Sequence, residues 1–194
     1  MPKARDIGFE GSVLSIFDFL TTEHGFALIG SDEYSAHYAS DCVWLVISHG
    51  RQSYELSLDV ARSANQEDIE HPYSMQALMR VTDPPLAQKY RAFTATDAGA
   101  VTMGLQRLAK CLMTYGKPAL RCDEDFFASM ARERRAAAED CARKSRWKAD
   151  SEVALEAMKQ KDWRRVIEIY EPRGDALKAS EQKRLDIARR HVEQ

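Results

Sequence analysis

Five histidines, four cysteines and one basic run are the side chains of this 194-residue sequence whose types could carry chemistry. His24, His37, His49, His71 and His191 share no helical or strand spacing that would set two of them on one face. None sits in the His-Glu-x-x-His arrangement that gives zinc two ligands and a base from one helix. His37 falls on the polar face of an expected strand in which Tyr34, Ala36 and Tyr38 point inward, and His49 falls at an expected hairpin tip, so surface or capping roles are read for both. Cys42, Cys111, Cys122 and Cys141 are scattered without a Cys-x-x-Cys pair, which argues against a structural zinc or a redox dithiol. Free thiols are expected, with Cys42 buried in a strand-like run. Cys122 is the best-placed nucleophile, because an adjoining helix start lowers a thiol pKa, but Asp123, Glu124 and Asp125 act in the opposite sense. Neither a Gly-x-x-x-x-Gly-Lys cradle nor a Gly-x-Gly-x-x-Gly turn is present, so nucleotide binding by the common folds is disfavoured and no cofactor is expected. Arg143-Lys144-Ser145-Arg146-Trp147-Lys148 sets four positive charges around an aromatic, a composition found in nucleic-acid contacts. Residues 131–148 hold seven basic and three acidic side chains, which is also the make-up of a solvated helix, and that is the reading taken.

The elements that must position these residues follow from periodicity. From Gly8 to Glu23, Phe9, Val13, Ile16, Phe17 and Leu20 recur at the spacing of one helical face, and Gly25 ends the segment. The period then changes to two or to short apolar runs, giving four strands: Phe26 to Ile29, Tyr34 to Tyr38, Cys42 to Ser48 and Gln52 to Asp59. In the fourth, Tyr54, Leu56 and Leu58 alternate with Glu55, Ser57 and Asp59, so one face is apolar and the other polar. Gly50 is expected to supply the positive φ of a tight hairpin between the last two. Ala61 to Pro72 is polar with one large apolar residue, Ile69, and reads as a mobile loop. Helices are expected at Tyr73 to Val81, stopped by Asp83-Pro84-Pro85, then at Leu86 to Phe93 and Thr96 to Tyr115, the last ended by Gly116 and Pro118.

Beyond Cys122 the sequence reads as helix throughout. Asp123, Glu124 and Asp125 suit a helix N-terminus, and an alanine-rich charged stretch around Arg132 to Ala138 offers little apolar surface for packing on a sheet. Further helices are expected at Ser151 to Gln160, Asp162 to Glu171 and Ser180 to Val192. Within them Ala154, Lys161-Asp162-Trp163, Val166, Ile167 and Tyr170 resemble the helix, turn and helix of one tetratricopeptide repeat, with Asp150 and Arg173 departing from its pattern. In the first half, Phe17-Asp18-Phe19-Leu20, His24-Gly25-Phe26 and Gly50-Arg51-Gln52-Ser53-Tyr54-Glu55-Leu56 resemble small bacterial immunity-type proteins. That resemblance implies toxin neutralisation and carries no catalytic residue.

The expected fold is therefore α+β: an antiparallel four-strand meander packed by helices, followed by an α-helical C-terminal region. Residues 1–120 are expected to form the core domain, 121–149 a linking helix and 150–194 a helical hairpin-like unit. Residues 1–120 carry 10 basic and 14 acidic side chains, and residues 121–194 carry 18 and 16, an asymmetry too mild for a nucleic-acid or membrane-surface protein. Met1 to Asp6 precedes no apolar run of signal-peptide length, and nothing approaches the ~18 apolar residues of a membrane span, so a cytoplasmic protein is expected. The functional expectation is a non-enzymatic protein-binding module, in its most concrete form an immunity protein with a toxin or secreted effector as partner. Two alternatives stand: a peptide-binding adaptor or chaperone using the C-terminal helices, and a small hydrolase or transferase whose site is assembled from distant residues. The expected partner surface is the polar sheet face with its hairpin, His37, His49, Arg51 and Glu55, together with Asp68, Glu70 and His71 of the following loop.

Overall fold

The structure, a computed structural model, describes residues 8–193; the stretch from Met1 to Asp6, where a leader would begin, lies outside the described residues. The chain divides into two compact units, Met1–Glu133 and Arg134–Gln194.

The first unit is α+β. Its apolar N-terminal periodicity forms two helices, α1 (Phe9–Ile16) and α2 (Phe19–Thr22), because the chain breaks at Phe17 and Asp18. Gly25, at φ 69°, then turns it into the sheet, a conformation that favours glycine. The expected meander is present as β1 (Ala27–Ser31), β2 (Ser35–Ala39), β3 (Val43–His49) and β4 (Glu55–Arg62), antiparallel in sequence order. Burial alternates strictly along β2 and β3 and along most of β4. Ala36, Tyr38, Val43, Leu45, Ile47, Leu56 and Leu58 therefore share one face with Phe9, Val13 and Phe17 in the core. The β3–β4 hairpin differs from the expected tight glycine turn. Its loop runs from Gly50 to Tyr54, and the positive φ (55°) falls on Tyr54. At Gly50 a Cβ would meet the Ser53 hydroxyl, which would have to turn aside.

Ala61 to Pro72 is not the expected loop. Ala61 and Arg62 complete β4, and Asn65 caps α3 (Gln66–Glu70) by accepting from the backbone N–H of Glu67 at 3.0 Å. Tyr73–Ser74 forms β5, paired to Asp59 and Val60 of β4, before α4 (Met75–Thr82) begins. Pro84 and Pro85 open α5 (Pro84–Lys89), with Asp83 capping Leu86 N–H at 3.1 Å, because proline is tolerated in the first helical turn. Phe93–Thr94 is β6, a second short strand on β4, which takes the last residue of the helix expected at Leu86 to Phe93. Then come α6 (Ala98–Tyr115), capped by Asp97, and α7 (Lys117–Leu120). Phe126, Phe127 and Met130 also belong to this core, which therefore extends past the expected limit at residue 120.

Cys42 and Cys122 are disulfide-bonded across 80 residues, with Cα atoms 6.2 Å apart, so the expectation of four free thiols is corrected; Cys111 and Cys141 are free. Cys122, at φ 60°, follows α7 in the left-handed position of a helix end, with its N–H on Ala119 O and that of Asp123 on Pro118 O. No local pattern pairs residues so far apart.

The expected linking helix and the first helix of the C-terminal hairpin are one element, α8 (Glu124–Lys159). In the second unit its end packs with α9 (Trp163–Tyr170) and α10 (Ala179–Val192) around Ala154, Ala157, Val166, Tyr170, Leu185 and Ala188. The α8–α9 turn places Lys161 at φ 59°, with N–H bonds from Lys161 to Met158 O and from Asp162 to Ala157 O. Asp162 then caps α9 by accepting from Arg165 N–H at 3.1 Å, so one tripeptide ends a helix and starts the next. Trp163 stacks on His191 with ring centroids 4.4 Å apart. Among the described residues no helix is long and apolar enough to cross a membrane.

Candidate binding face of the sheet

Alternation along β2, β3 and β4 turns a second set of side chains away from the core. Register aligns them in rows: Ser35, Ser48 and Ser57; then His37, Val46 and Asp59; then Ala39, Trp44 and Ala61, the last of these fully buried. Neighbours hold one another. Ser48 and Ser57 hydroxyls are 2.7 Å apart, His37 Nε2 is 3.1 Å from Ser35 Oγ, and the His37 ring leans on Trp44 at 5.8 Å. Asp59 is half-buried in this face. Burial raises its pKa above the ordinary aspartate value, a shift that a hydrogen bond from Ser57 partly offsets. Serine, histidine and aspartate thus share one surface, but β3 lies between His37 and Asp59. Their strands are about 10 Å apart, too far for a direct imidazole–carboxylate bond. The arrangement suits recognition better than a proton relay. The sequence alternation contained Ser57 and Asp59, but only register joins them to Ser48 and Trp44.

The seven residues expected at the partner surface divide three ways. His37 lies on this face, and Glu55 begins β4 exposed on the same side. Arg51 is exposed at the hairpin, its guanidinium 4.3 Å above the Tyr34 ring. Glu70 and His71 are exposed at the end of α3, where Glu70 accepts from Gln66 at 3.0 Å. They sit beyond Arg62, the opposite end of β4 from the hairpin, which at ~3.3 Å per residue is ~23 Å from Glu55.

His49 and Asp68 do not belong to the surface. His49 is the last residue of β3 and 3% exposed, because the odd positions of that strand face the core. Its ring lies 6.1 Å from Phe9 and 6.2 Å from Tyr54, and Nε2 is 2.8 Å from Ala95 O. Nδ1 is buried and has no partner among the described residues. Asp68 is fully buried: Arg62 Nε donates to it at 2.6 Å and Tyr73 O–H at 2.9 Å. It pins α3 to the end of β4 and is a structural anchor.

Two concavities flank the sheet. One of about 340 Å³ opens where β5 and β6 separate along β4, lined by Glu55, Ser57, Ser74, Gln76, Tyr90 and Arg91 among others. Burial raises the Tyr90 phenol above its usual pKa, with Cys111 adding to the effect. The other, about 430 Å³, adjoins the disulfide and is lined by Cys42, Arg62, Ala64, Asn65, Gln66, Cys122 and Glu124. Compared with family models, with curated proteins and with solved structures, the chain matches none.

Proposed function

We propose that this chain is a non-enzymatic protein-binding module, in its most concrete form an immunity protein that neutralises a cognate bacterial toxin. One observation carries the reading: the solvent side of the sheet and its hairpin hold polar and aromatic side chains already locked together, His37 on Trp44, Ser48 on Ser57 and Arg51 on Tyr34. Immobilising a free side chain on binding costs about 0.5–1.5 kcal/mol, and groups already held avoid most of that cost. Arginine, tyrosine and tryptophan are also the types that anchor interfaces. The protein is read as cytoplasmic, where thiols are kept reduced, so binding is to be measured with Cys42 and Cys122 both oxidised and reduced.

Capture of partners from the native host, followed by mass spectrometry, supplies the ligand for the test. Arg51→Glu with Glu55→Lys is expected to weaken binding by at least about 2 kcal/mol, roughly thirtyfold. Arg143→Glu with Arg146→Glu is expected to cost under about 1 kcal/mol, since that helix face is exposed and Arg143 is already paired with Asp140. The reverse order would overturn the reading and move the interface to the C-terminal helices. One observation favours that second reading, a peptide-binding adaptor or chaperone: Val153 and Leu155 stand exposed on α8 between positions packed in the second core. Salt-sensitive retention on nucleic acid, lost in the Arg143/Arg146 variant, would exclude both.

A further inference from the structure

The other edge of the sheet differs from the hairpin end in both charge and pairing. β1 pairs with β2 on one side, and among the described residues no strand pairs with its other side. Its residues are exposed along nearly the whole strand, Leu28 at 41% and Ile29 at 65%, and a bulge between Leu28 and Gly30 pushes Ile29 out of the ladder. Short length and a bulge blunt an edge, but on either side of the bulge β1 still presents unpaired backbone donors and acceptors to an extended chain.

The sequence that forms that edge is acidic, and Arg51 is a cation close to its end at Asp32. Between Arg5 and Arg51 the sequence contains seven Asp or Glu and no Lys or Arg. Glu23 precedes β1, and Asp32 and Glu33 follow it. Glu10, from α1, accepts from the Ser31 hydroxyl at 2.6 Å. Asp32 is held as the anion by the backbone N–H groups of Tyr34 and Ser35, both at 2.7 Å, and Arg51 favours the anion as well. Glu10, Glu23 and Glu33 remain. A five-residue strand is ~17 Å long, so acidic groups stand at both ends of an apolar edge.

We propose that the free edge of β1 takes up an extended, cationic segment of a protein partner by strand addition, with apolar side chains against Leu28 and Ile29 and lysines or arginines near Glu23 and Glu33. A second copy of this chain is the weaker occupant. Antiparallel pairing of two β1 edges would set Glu23 of one opposite Asp32 and Glu33 of the other, and like charges facing across a ladder repel. The inference deepens the protein-binding reading and rests on it for its biological setting, but the edge can be tested without a natural partner.

The probe is a synthetic peptide of alternating valine and threonine with two lysines at each end. Its controls are the same peptide with glutamates for the lysines and the lysine peptide interrupted by two central prolines. Hydrogen exchange of the full chain and fluorescence anisotropy are the readouts. The lysine peptide is expected to slow amide exchange within residues 27–31 and to bind at least tenfold tighter than either control. Glu23→Lys with Glu33→Lys, both at exposed positions, is expected to weaken it at least tenfold while leaving Tm unchanged; Ile29→Lys repeats the test independently. Equal binding of lysine and glutamate peptides, equal binding of the proline peptide, or protection confined to residues outside 27–31 would each overturn the proposal. Protection of β1 that rises with protein concentration alone would assign the edge to a second copy and overturn it equally. If Arg51 and Glu55 govern binding of a captured partner while Glu23 and Glu33 do not, the edge inference fails with the binding reading intact. If the lysine peptide protects β1 and no toxin-like partner exists, the edge stands and the immunity reading fails.

Discussion

Asp59 shows how one side chain reports the state of its surface. Its carboxyl is half-buried beside Ser57 and opposite Val46, and burial raises its pKa above the ordinary 3.8. A carboxyl whose pKa is raised by folding favours the folded state fully below its unfolded pKa of about 3.9, and that contribution is lost as pH rises through the folded-state value. Asp59→Asn keeps an acceptor for Ser57 and removes the buried charge. The expected outcome is a higher Tm than wild type at pH 7, with the two melting curves converging below about pH 4. A lower Tm at pH 7 would mean that the ionised carboxylate has a partner that holds it. His49 and Asp68 make the converse point: a polar residue type is no guide to exposure when a strand's parity or an ion pair to a neighbouring guanidinium decides where it lies.

At the level of elements, two glycines separate helix propensity from packing. Gly11 lies in α1, where a Cβ would meet open space, whereas at Gly104 in α6 a Cβ would run into Leu56 and Phe93. Replacing a helical glycine by alanine gains up to about 1 kcal/mol from propensity. Overpacking a core costs about 1–3 kcal/mol. Gly11→Ala is therefore expected to stabilise by ~0.5–1 kcal/mol, and Gly104→Ala to destabilise by ~1–2 kcal/mol, as measured by urea denaturation. A stabilising Gly104→Ala would show that β6 yields to α6, and that its pairing with β4 contributes little.

For the whole molecule, the placement of the core limit decides what can be cut away. Truncation after Tyr115 removes Ala119, Leu120, Phe126, Phe127 and Met130 from the first core, and Cys122 from its disulfide. Deleting one buried phenylalanine side chain costs about 3–5 kcal/mol. Two of them with a methionine approach the whole stability of an ordinary domain, about 5–15 kcal/mol. A fragment ending at Tyr115 is expected to be unfolded by circular dichroism, whereas one ending at Glu133 melts cooperatively. Cooperative melting of the shorter fragment would put α7 and the start of α8 outside the core. Limited proteolysis is expected to cut first in the exposed middle of α8, between Met130 and Trp147, and to leave the same N-terminal piece.

What the amino-acid sequence determined by itself was local: four strands, three of them with one apolar face, the principal helices, and the Lys161-Asp162-Trp163 turn. These follow from period, capping residues and turn chemistry, which act over a few neighbouring positions. The same patterns contained His37, Arg51 and Glu55, all of them solvent-side or hairpin positions. Tertiary structure decided the rest. Tyr73–Ser74 and Phe93–Thr94 join the sheet because β4 offers them an edge, not because two residues carry a period. The Asn65 cap and the Arg62–Asp68 pair make a helix where composition suggested a loop. Cys42 meets Cys122, and Ser48 meets Ser57 beside Asp59, only once strands and helices are in register. Pairings between residues far apart in the chain are set by the energetics of the packed whole, and no short-range pattern encodes them.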